Sequence, residues 1–276
     1  MQLEEKQLLN EISNNVRKSV VQMAYNAGSS HVASALSMVD ILTVLYFKIL
    51  NINLENYKSI NRDKFILSKG HASSGIYAIL AEKGFVDKEI LKTYDEDGSL
   101  LSGHPKKGAL PGIEASTGSL GHGLSIGCGL ALSDKNSGRA CKTVVLMGDG
   151  ECNEGSVWES AMFASSKNLN NLIAIIDNNE LQGLGKVSDI TGLYPLNEKW
   201  KAFNWNVIEI NGHDFHEILQ ALKESYELKT KPTVIIAHTI KGKGISFMEN
   251  KLEWHYKSPN KEQFNTAMEE LNSNCM

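Results

Sequence analysis

The sequence predicts an α/β fold in which a parallel sheet is flanked by helices. Short runs of branched apolar residues alternate along the chain with longer segments of helical spacing. No internal repeat, low-complexity tract or obvious linker interrupts this alternation. Strands that alternate with helices pair in parallel and are covered by helices on both faces. We therefore expect a single domain over residues 1–276.

The spacing of apolar residues predicts the elements of the first half of the chain. Apolar positions near helical spacing predict a first helix, and a run that is apolar on most faces predicts a buried second helix. A short strand and a further helix ending near Gly84 follow. The four predicted elements are helix 5–27, helix 35–50, strand 64–67 and helix 72–83. The glycine-rich stretch 102–123 lacks periodicity, and its length favours a functional role.

The second half of the chain alternates strand and helix. Its strands are short, apolar and rich in β-branched residues, whereas its helices are longer and amphipathic. The predicted elements are strand 143–147, helix 155–168, strand 172–176, strand 206–210, helix 214–227 and strand 233–237.

Composition argues against several classes of function. A net charge of −4 does not favour a nucleic-acid partner, which usually requires a basic face. No apolar run reaches the roughly 18 residues of a membrane span, and the polar N-terminus lacks a signal-peptide core. Four cysteines without CxxC pairing are typical of reduced thiols in a cytoplasmic protein: Cys128, Cys141, Cys152 and Cys275.

Polar motifs follow two successive predicted strands. A Gly-Asp-Gly motif occupies 148–150, and an Asp-Asn-Asn motif occupies 177–179. Sequential parallel strands are often neighbours, roughly 4.8 Å apart, so both motifs are expected at one sheet edge. The Asp149 carboxylate and the Asn179 amide oxygen are then expected to converge on one ion.

The donor types at this edge favour magnesium. Carboxylate, amide and carbonyl oxygens suit a small hard cation, which completes its shell with water and phosphate oxygens. A diphosphate ligand is therefore implied. Gly148 and Gly150 allow close backbone approach, and the helix that begins near Gly155 offers N–H groups to an anion. Either motif alone is more often just a turn.

Taken together, the two motifs and the segment between them resemble the thiamine diphosphate signature of transketolases. The resemblance extends over essentially the whole chain, and is greatest to the N-terminal, diphosphate-binding subunits of split, two-component transketolases. It implies thiamine diphosphate and Mg²⁺ as cofactors, with Ca²⁺ or Mn²⁺ as substitutes. Asp149 and Asn179 would bind the metal through side chains and Leu181 through its carbonyl, with Gly150 beside the cofactor.

Four histidines match positions at which transketolases place active-site histidines. They are His31, His71, His104 and His255. Imidazoles can donate to sugar hydroxyls and relay protons near neutral pH. By the resemblance, His71 and His255 would also contact the cofactor, and His104 would lie near the ketose oxygen. Each alone is as well explained as a structural histidine, which is the interpretation given to His213, His216 and His238.

The resemblance implies further site residues. Gly118 and Leu120 match a loop in which a glycine carbonyl binds the aminopyrimidine of the cofactor. Glu154 matches a catalytic-site glutamate in the hydrogen-bonded network that links the two cofactor sites of the dimer. Lys243 lies in a Gly-Lys-Gly segment and is expected either near a phosphate or at the surface.

The resemblance also implies a partner. A full-length transketolase continues into a second domain, whose glutamate protonates the pyrimidine ring of the cofactor, whereas this sequence ends at Met276. We expect a C-terminal, pyrimidine-binding partner subunit, with the two kinds of chain in an α2β2 heterotetramer, and no activity from this chain alone. The runs 32–42 and 123–132 are rich in small and apolar residues, and serve either as subunit contacts or as core helices.

The expected reaction is transfer of a two-carbon ketol unit from a ketose or ketose phosphate to an aldose. Two departures from the family pattern leave the substrates open. Residues 32–34 replace the usual Pro-Gly-Gly after His31, and His122 stands where many relatives have glutamine. Sulfosugars, apulose-type sugars and acyl acceptors are compatible with these departures. The alternatives are a decarboxylating synthase, the α-type subunit of a 2-oxoacid dehydrogenase, and a non-catalytic regulatory homologue.

Overall fold

A five-stranded parallel sheet forms the centre of the fold. The computed structural model describes residues 1–273. The strands are β1 (Lys64–Leu67), β2 (Thr143–Gly148), β3 (Leu172–Asn178), β4 (Leu181–Gln182), β5 (Gly185–Lys186), β6 (Asn206–Asn211) and β7 (Thr233–His238). The sheet has the order β1-β2-β3-β7-β6, and β4 and β5 form a separate antiparallel hairpin. The predicted fold class is confirmed.

Ten α-helices surround the sheet in the described part of the chain. They are α1 (Leu3–Ala27), α2 (Val32–Leu36), α3 (Val39–Val44), α4 (Ser73–Glu82), α5 (Gly123–Asn136), α6 (Gly155–Ser166), α7 (Val187–Ile190), α8 (Leu196–Ala202), α9 (Phe215–Glu227) and α10 (Lys261–Ser273). Short 3₁₀ segments lie at Gly70–Ala72, Lys88–Thr93, Gly150–Asn153 and Leu252–His255. None of the helices within residues 1–273 is long and apolar enough to cross a membrane.

Two apolar cores cover the two faces of the sheet. Side chains alternate between the faces along each strand. In β2, Val144 and Leu146 pack into the core formed with α1, α3, α4, α9 and α10, whereas Val145 and Met147 pack into the core formed with α5, α6 and α8. The central strands are therefore apolar at nearly every position, and their polar residues are confined to the strand ends.

The segment 35–50 is the one predicted element that is wrong. Instead of one helix it forms α2, α3 and a π-helical turn at Leu45–Ile49. The break lies at Ser37 and Met38, where Met38 has φ −96° and ψ 0°. At this break the Ser37 hydroxyl donates a hydrogen bond to the carboxylate of Asp177. A tertiary hydrogen bond has thus overridden the local helical pattern.

The register of β2 and β3 decides where the functional residues lie. These strands are adjacent and parallel, and Gly148 at the end of β2 pairs with Asp177 near the end of β3. The motifs at 148–150 and 177–179 therefore meet at the same sheet edge, as the sequence predicts.

A matched pair of glycines in α5 tests the packing of this helix on the sheet. A Cβ atom on Gly127 would lie 2.5 Å from Cγ2 of Val145, whereas a Cβ on Gly129 would meet nothing within 4 Å. Gly127→Ala should therefore lower the free energy of unfolding by about 1–3 kcal/mol. Gly129→Ala should leave it unchanged or raise it by up to about 1 kcal/mol. Urea unfolding of the isolated chain measures both, and equal effects would contradict this packing.

Candidate active site

A cavity of about 310 Å³ opens at the carboxyl ends of β2 and β3. Ligands of parallel α/β sheets bind at this edge. The residues that line it are His31, Ser34, Lys69, His71, Gly118, Leu120, Gly148, Asp149, Gly150, Glu151, Asn179, Leu181, Gln182, Gly183, Leu184, Lys241, His255 and Tyr256. Every predicted catalytic, cofactor or metal residue except His104 and Glu154 is among them.

Asp149 and Asn179 line the cavity and carry side-chain oxygen atoms that could bind a metal ion. The Asp149 carboxylate accepts from the N–H groups of Gly150 at 2.7 Å and Glu180 at 2.5 Å. Burial, together with the nearby charge of Asp177, raises the pKa of Asp149 to about 7. A cation bound here would offset both effects and favour the carboxylate form.

The donor set limits which cation fits. Within residues 1–273, no cluster of three or more histidine, cysteine or acidic side chains is arranged to hold a metal. A cation at Asp149 would therefore depend on one carboxylate, the Asn179 amide oxygen and a backbone carbonyl. Such a set suits Mg²⁺, which keeps water and phosphate ligands, and does not suit structural zinc.

Two buried lysines reach the same cavity but differ in their partners. Lys69, 2% exposed, forms a salt bridge with Asp177 and donates to the Ser34 carbonyl at 2.9 Å. Lys241, 1% exposed, donates to the Leu181 carbonyl at 2.9 Å and lies 2.8 Å from Nδ1 of His255.

Lys241 is a buried cation that no described carboxylate neutralises through a salt bridge. Burial and the neighbouring charge of Lys69 lower the pKa of Lys241 to about 8. The charges of Asp149 and Asp177 offset this lowering only in part. A buried charge that is incompletely compensated is costly, and an anionic ligand in the cavity would compensate it further.

Three imidazoles form a cluster on the cavity wall. The ring centroids of His31 and His71 are 5.0 Å apart, as are those of His31 and His255. Burial and the charges nearby lower the pKa values of all three: to about 4 for His31, to about 3 for His255 and well below the usual value for His71. All three rings are therefore neutral at pH 7, and each carries one donor and one acceptor nitrogen.

Orphaned polar atoms and close backbone contacts fit a polar, anionic ligand. Nδ1 of His31 and Nε2 of Gln182 are buried without a hydrogen-bond partner in residues 1–273, which is unusual for buried polar atoms. Gly150 lies so close to Gln182 that a Cβ atom would come within 2.8 Å of its side chain. The cavity wall thus combines polar atoms that lack a partner within residues 1–273 with a position that only a residue without a Cβ atom can occupy.

Comparison with known proteins identifies the family. Residues 9–274 match the family model described as transketolase, thiamine diphosphate binding domain. The chain belongs to the transketolase family. It is 46% identical to one of the subunits of the apulose-4-phosphate transketolase of Actinobacillus succinogenes, over 92% of each chain. It is 39% identical to the 6-deoxy-6-sulfo-D-fructose transketolase subunit of a Clostridium species, over 94% of each chain.

Solved transketolases share the fold. The transketolase of Campylobacter jejuni superimposes with a TM-score of 0.91 at 31% identity. The superposition covers 99% of this chain but only 43% of that protein. The chain thus spans less than half the length of the solved transketolases it matches, and nearly the full length of the transketolase subunits.

Two predicted residues lie beside the cavity rather than in it. His104 is exposed and packs against Gly118, where a Cβ atom would lie 2.8 Å from Cδ2 of His104. Because Gly118 lines the cavity, His104 lies beside the cavity wall. Glu154 is exposed at the start of α6 and lies against Gly121. Both side chains are exposed and border the loop 117–121.

Glu151, which the sequence analysis missed, holds the loop that carries Gly118 and Leu120. It is buried and accepts from the Ser68 hydroxyl, from the N–H of Gly121 at 2.8 Å and from the N–H of Gly148 at 3.2 Å. Glu151 and Glu154 lie in the same short motif, and no local pattern marks which of them is buried.

Lys241 was missed for a similar reason. The sequence analysis named only Lys243, expected either near a phosphate or at the surface. Lys243 lies outside the cavity, with its Nζ 3.3 Å from the Glu249 carboxylate. Gly242, at φ 79°, separates the two lysines, and a Cβ there would lie 2.5 Å from the Met248 carbonyl oxygen. The positive φ of Gly242 marks a turn, but it does not tell which of the two neighbouring lysines is buried.

The remaining histidines lie outside the cavity. His122 is exposed and its Nδ1 lies 3.0 Å from the Leu120 carbonyl oxygen. His216 is exposed, and His238 lies between Asn178 and Glu209. His213 is bonded to Asp40 and to the backbone of Ile240.

His31 is expected to titrate far below the usual histidine range. Its unfolded form takes up a proton near pH 6.5, and its folded form only near pH 4. The unfolded chain therefore binds more protons in this window, and stability falls as pH falls from about 6.5 to 4. An NMR titration of the isolated chain measures the pKa, with His31→Gln identifying the resonance. The variant should lose less stability on acidification, and a His31 pKa near 6.5 would contradict the burial argument.

Proposed function

We propose that the chain is the thiamine diphosphate- and magnesium-binding subunit of a two-component transketolase. The observation that carries this proposal is the pairing of opposite charges in one cavity. Asp149 and Asn179, whose side-chain oxygen atoms can bind a cation, line the same cavity as Lys241. Lys241 is a buried cation that forms no salt bridge with a carboxylate among the described residues. A metal diphosphate is a ligand that satisfies both, because it brings a cation and an anion together.

Several residues of the cavity have expected roles toward the cofactor. Asp149, Asn179 and the Leu181 carbonyl hold Mg²⁺, for which Ca²⁺ or Mn²⁺ can substitute. Gly150 gives the backbone access to the diphosphate, and Lys241 neutralises it. Lys241 donates to the Leu181 carbonyl, so a cation at that oxygen competes with Lys241 and favours its turning toward the anion.

When bound, thiamine diphosphate supplies the carbanion that cleaves and forms carbon–carbon bonds in ketol transfer. This chain binds, orients and moves protons. Neutral His31, His71 and His255 are suited to donate to and accept from sugar hydroxyls. His104, at the rim beside Gly118, is suited to contact the ketose oxygen. Gly118 and Leu120 lie in the loop that would face the aminopyrimidine.

A partner subunit is proposed to complete the site. Relatives that are themselves named as transketolase subunits match this chain over more than nine-tenths of both lengths, and we infer a C-terminal partner in an α2β2 heterotetramer. Leu184, 85% exposed at the cavity mouth, is an apolar side chain that such a partner would cover. Glu154 is exposed next to the 117–121 loop, in position for the network between cofactor sites.

The proposal extends to the substrates and the compartment. We propose a phosphorylated ketose as the donor, with apulose 4-phosphate tested first because the apulose-named relatives reach 46% identity.

We place the complex in the cytoplasm because Cys128, Cys141 and Cys152 are free and buried, as is usual in a reducing compartment. Cys275 lies outside the described residues.

Reconstitution tests the function. The isolated chain should not transfer ketol units, whereas the chain purified with its partner subunit should do so in the presence of Mg²⁺ and thiamine diphosphate. Apulose 4-phosphate, xylulose 5-phosphate and sulfofructose serve as donors, with an aldose acceptor. Pyruvate decarboxylation by the complex, without ketol transfer, would instead support a decarboxylating enzyme. No magnesium-dependent cofactor binding would leave only a non-catalytic role.

Asp149→Ala should remove the only carboxylate among the proposed metal ligands. Losing an anionic ligand and its charge should weaken magnesium-dependent binding of thiamine diphosphate by at least about 100-fold. Isothermal calorimetry on the reconstituted complex measures the affinity. Asp189→Ala, at an exposed carboxylate outside the cavity, is the control and should bind normally. Full affinity in Asp149→Ala would refute the metal assignment.

A further inference from the structure

A buried ion cluster lies outside the cavity, between helices α1, α3 and the loop before α9. Nη2 of Arg17 is 2.6 Å from Oδ2 of Asp40, and Nδ1 of His213 is 2.7 Å from the same oxygen. Arg17 and Asp40 are both buried. Burying charged groups is expensive and is a weak device for stability alone, so the cluster invites a second explanation.

The hydrogen bonds of His213 fix its protonation. Nε2 of His213 accepts from the backbone N–H of Ile240 at 2.8 Å, so the ring proton is on Nδ1 and is donated to Asp40. Burial alone would raise the pKa of Asp40, but Arg17 and His213 more than offset it and lower the pKa. Asp40 is thus an anionic acceptor that selects one neutral tautomer of His213.

The cluster forms two hydrogen bonds with the backbone of the turn that carries Lys241. His213 accepts the N–H of Ile240, and Nε of Arg17 donates to the carbonyl of Lys243 at 3.2 Å. Lys241 lies between these two backbone groups, and its side chain enters the cavity to reach the Leu181 carbonyl and His255. Arg17, Asp40 and His213 do not line that cavity themselves.

We propose that Arg17, Asp40 and His213 form a positioning device for Lys241. They hold the 240–243 backbone so that the buried ammonium faces the anionic part of the ligand, and thereby set the affinity for it. This inference rests on the proposed function, in which that ligand is the magnesium complex of thiamine diphosphate. A purely structural cluster would stabilise the fold without changing cofactor affinity.

Two substitutions of His213 separate its two hydrogen bonds. In His213→Gln the amide oxygen reaches the position of Nε2 and still accepts from Ile240, while Asp40 keeps Arg17. In His213→Asn the amide nitrogen reaches the position of Nδ1 and still donates to Asp40, but the Ile240 N–H loses its acceptor. The two variants thus carry the same polar group, but His213→Gln keeps the hydrogen bond to Ile240 and His213→Asn keeps the one to Asp40.

The cofactor affinity of the reconstituted complex should follow the Ile240 bond. His213→Asn should raise the Kd for thiamine diphosphate at saturating Mg²⁺ by about tenfold or more, the effect of one lost buried hydrogen bond. His213→Gln should change it by less than about threefold. The KM for the sugar substrates should stay the same in both. Arg17→Lys, which keeps a cation beside Asp40 but loses the donor to Lys243, should also weaken binding.

Readouts on the isolated chain do not depend on activity. The ¹⁵N shifts of His213 should report a proton on Nδ1 and an accepting Nε2. Amide exchange at Lys241 and Gly242 should be faster in His213→Asn than in His213→Gln at equal thermal stability. Wild-type affinity in both His213→Asn and Arg17→Lys, or losses that only follow lowered Tm, would overturn the inference. A wild-type complex that binds no thiamine diphosphate would instead refute the proposed function.

Discussion

The site depends on one buried carboxylate, that of Asp177 at the carboxyl end of β3. This side chain is fully buried, and burial alone would raise its pKa; Lys69 and the hydroxyls of Ser37 and Thr239 more than offset this and hold the pKa below its usual value. The partners come from the segment between α2 and α3, from the end of β1 and from the end of β7. One charge therefore ties together the segments that surround the cavity, and it also accounts for the break in the predicted helix 35–50.

A second buried carboxylate, that of Asp149, lies near Asp177, and a cation is proposed to compensate it. Burial and the nearby charge of Asp177 raise the pKa of Asp149 to about 7. Lys69 forms its salt bridge with Asp177 and not with Asp149. Lys241 is the opposite case, a buried ammonium with no described carboxylate as its partner. The residues of the cavity thus leave both signs of charge incompletely compensated, a pattern that is common where a ligand completes a site and uncommon in a core built only for stability.

Sequence reasoning located the parts of the site that are set by strand ends. Asp149 and Asn179 were predictable because parallel neighbours place their carboxyl ends together, and the sheet confirms that placement. The inward residues of loops were not predictable. In each of two pairs, Glu151 and Glu154, and Lys241 and Lys243, two residues of the same type lie close together in the sequence, and only one of them is buried at the cavity. Tertiary burial decides which one, and apolar periodicity carries no information about irregular backbone.

Binding of manganese in place of magnesium tests whether Asp149, Asn179 and Leu181 hold the metal and Lys241 faces the diphosphate. A crystal of the reconstituted complex with Mn²⁺ and thiamine diphosphate locates the metal by its anomalous scattering. The anomalous peak is expected to be bound by the Asp149 carboxylate, the Asn179 amide oxygen and the Leu181 carbonyl, with Lys241 turned from that carbonyl to the diphosphate. A metal peak away from Asp149 and Asn179, or a diphosphate remote from Lys241, would contradict this assignment.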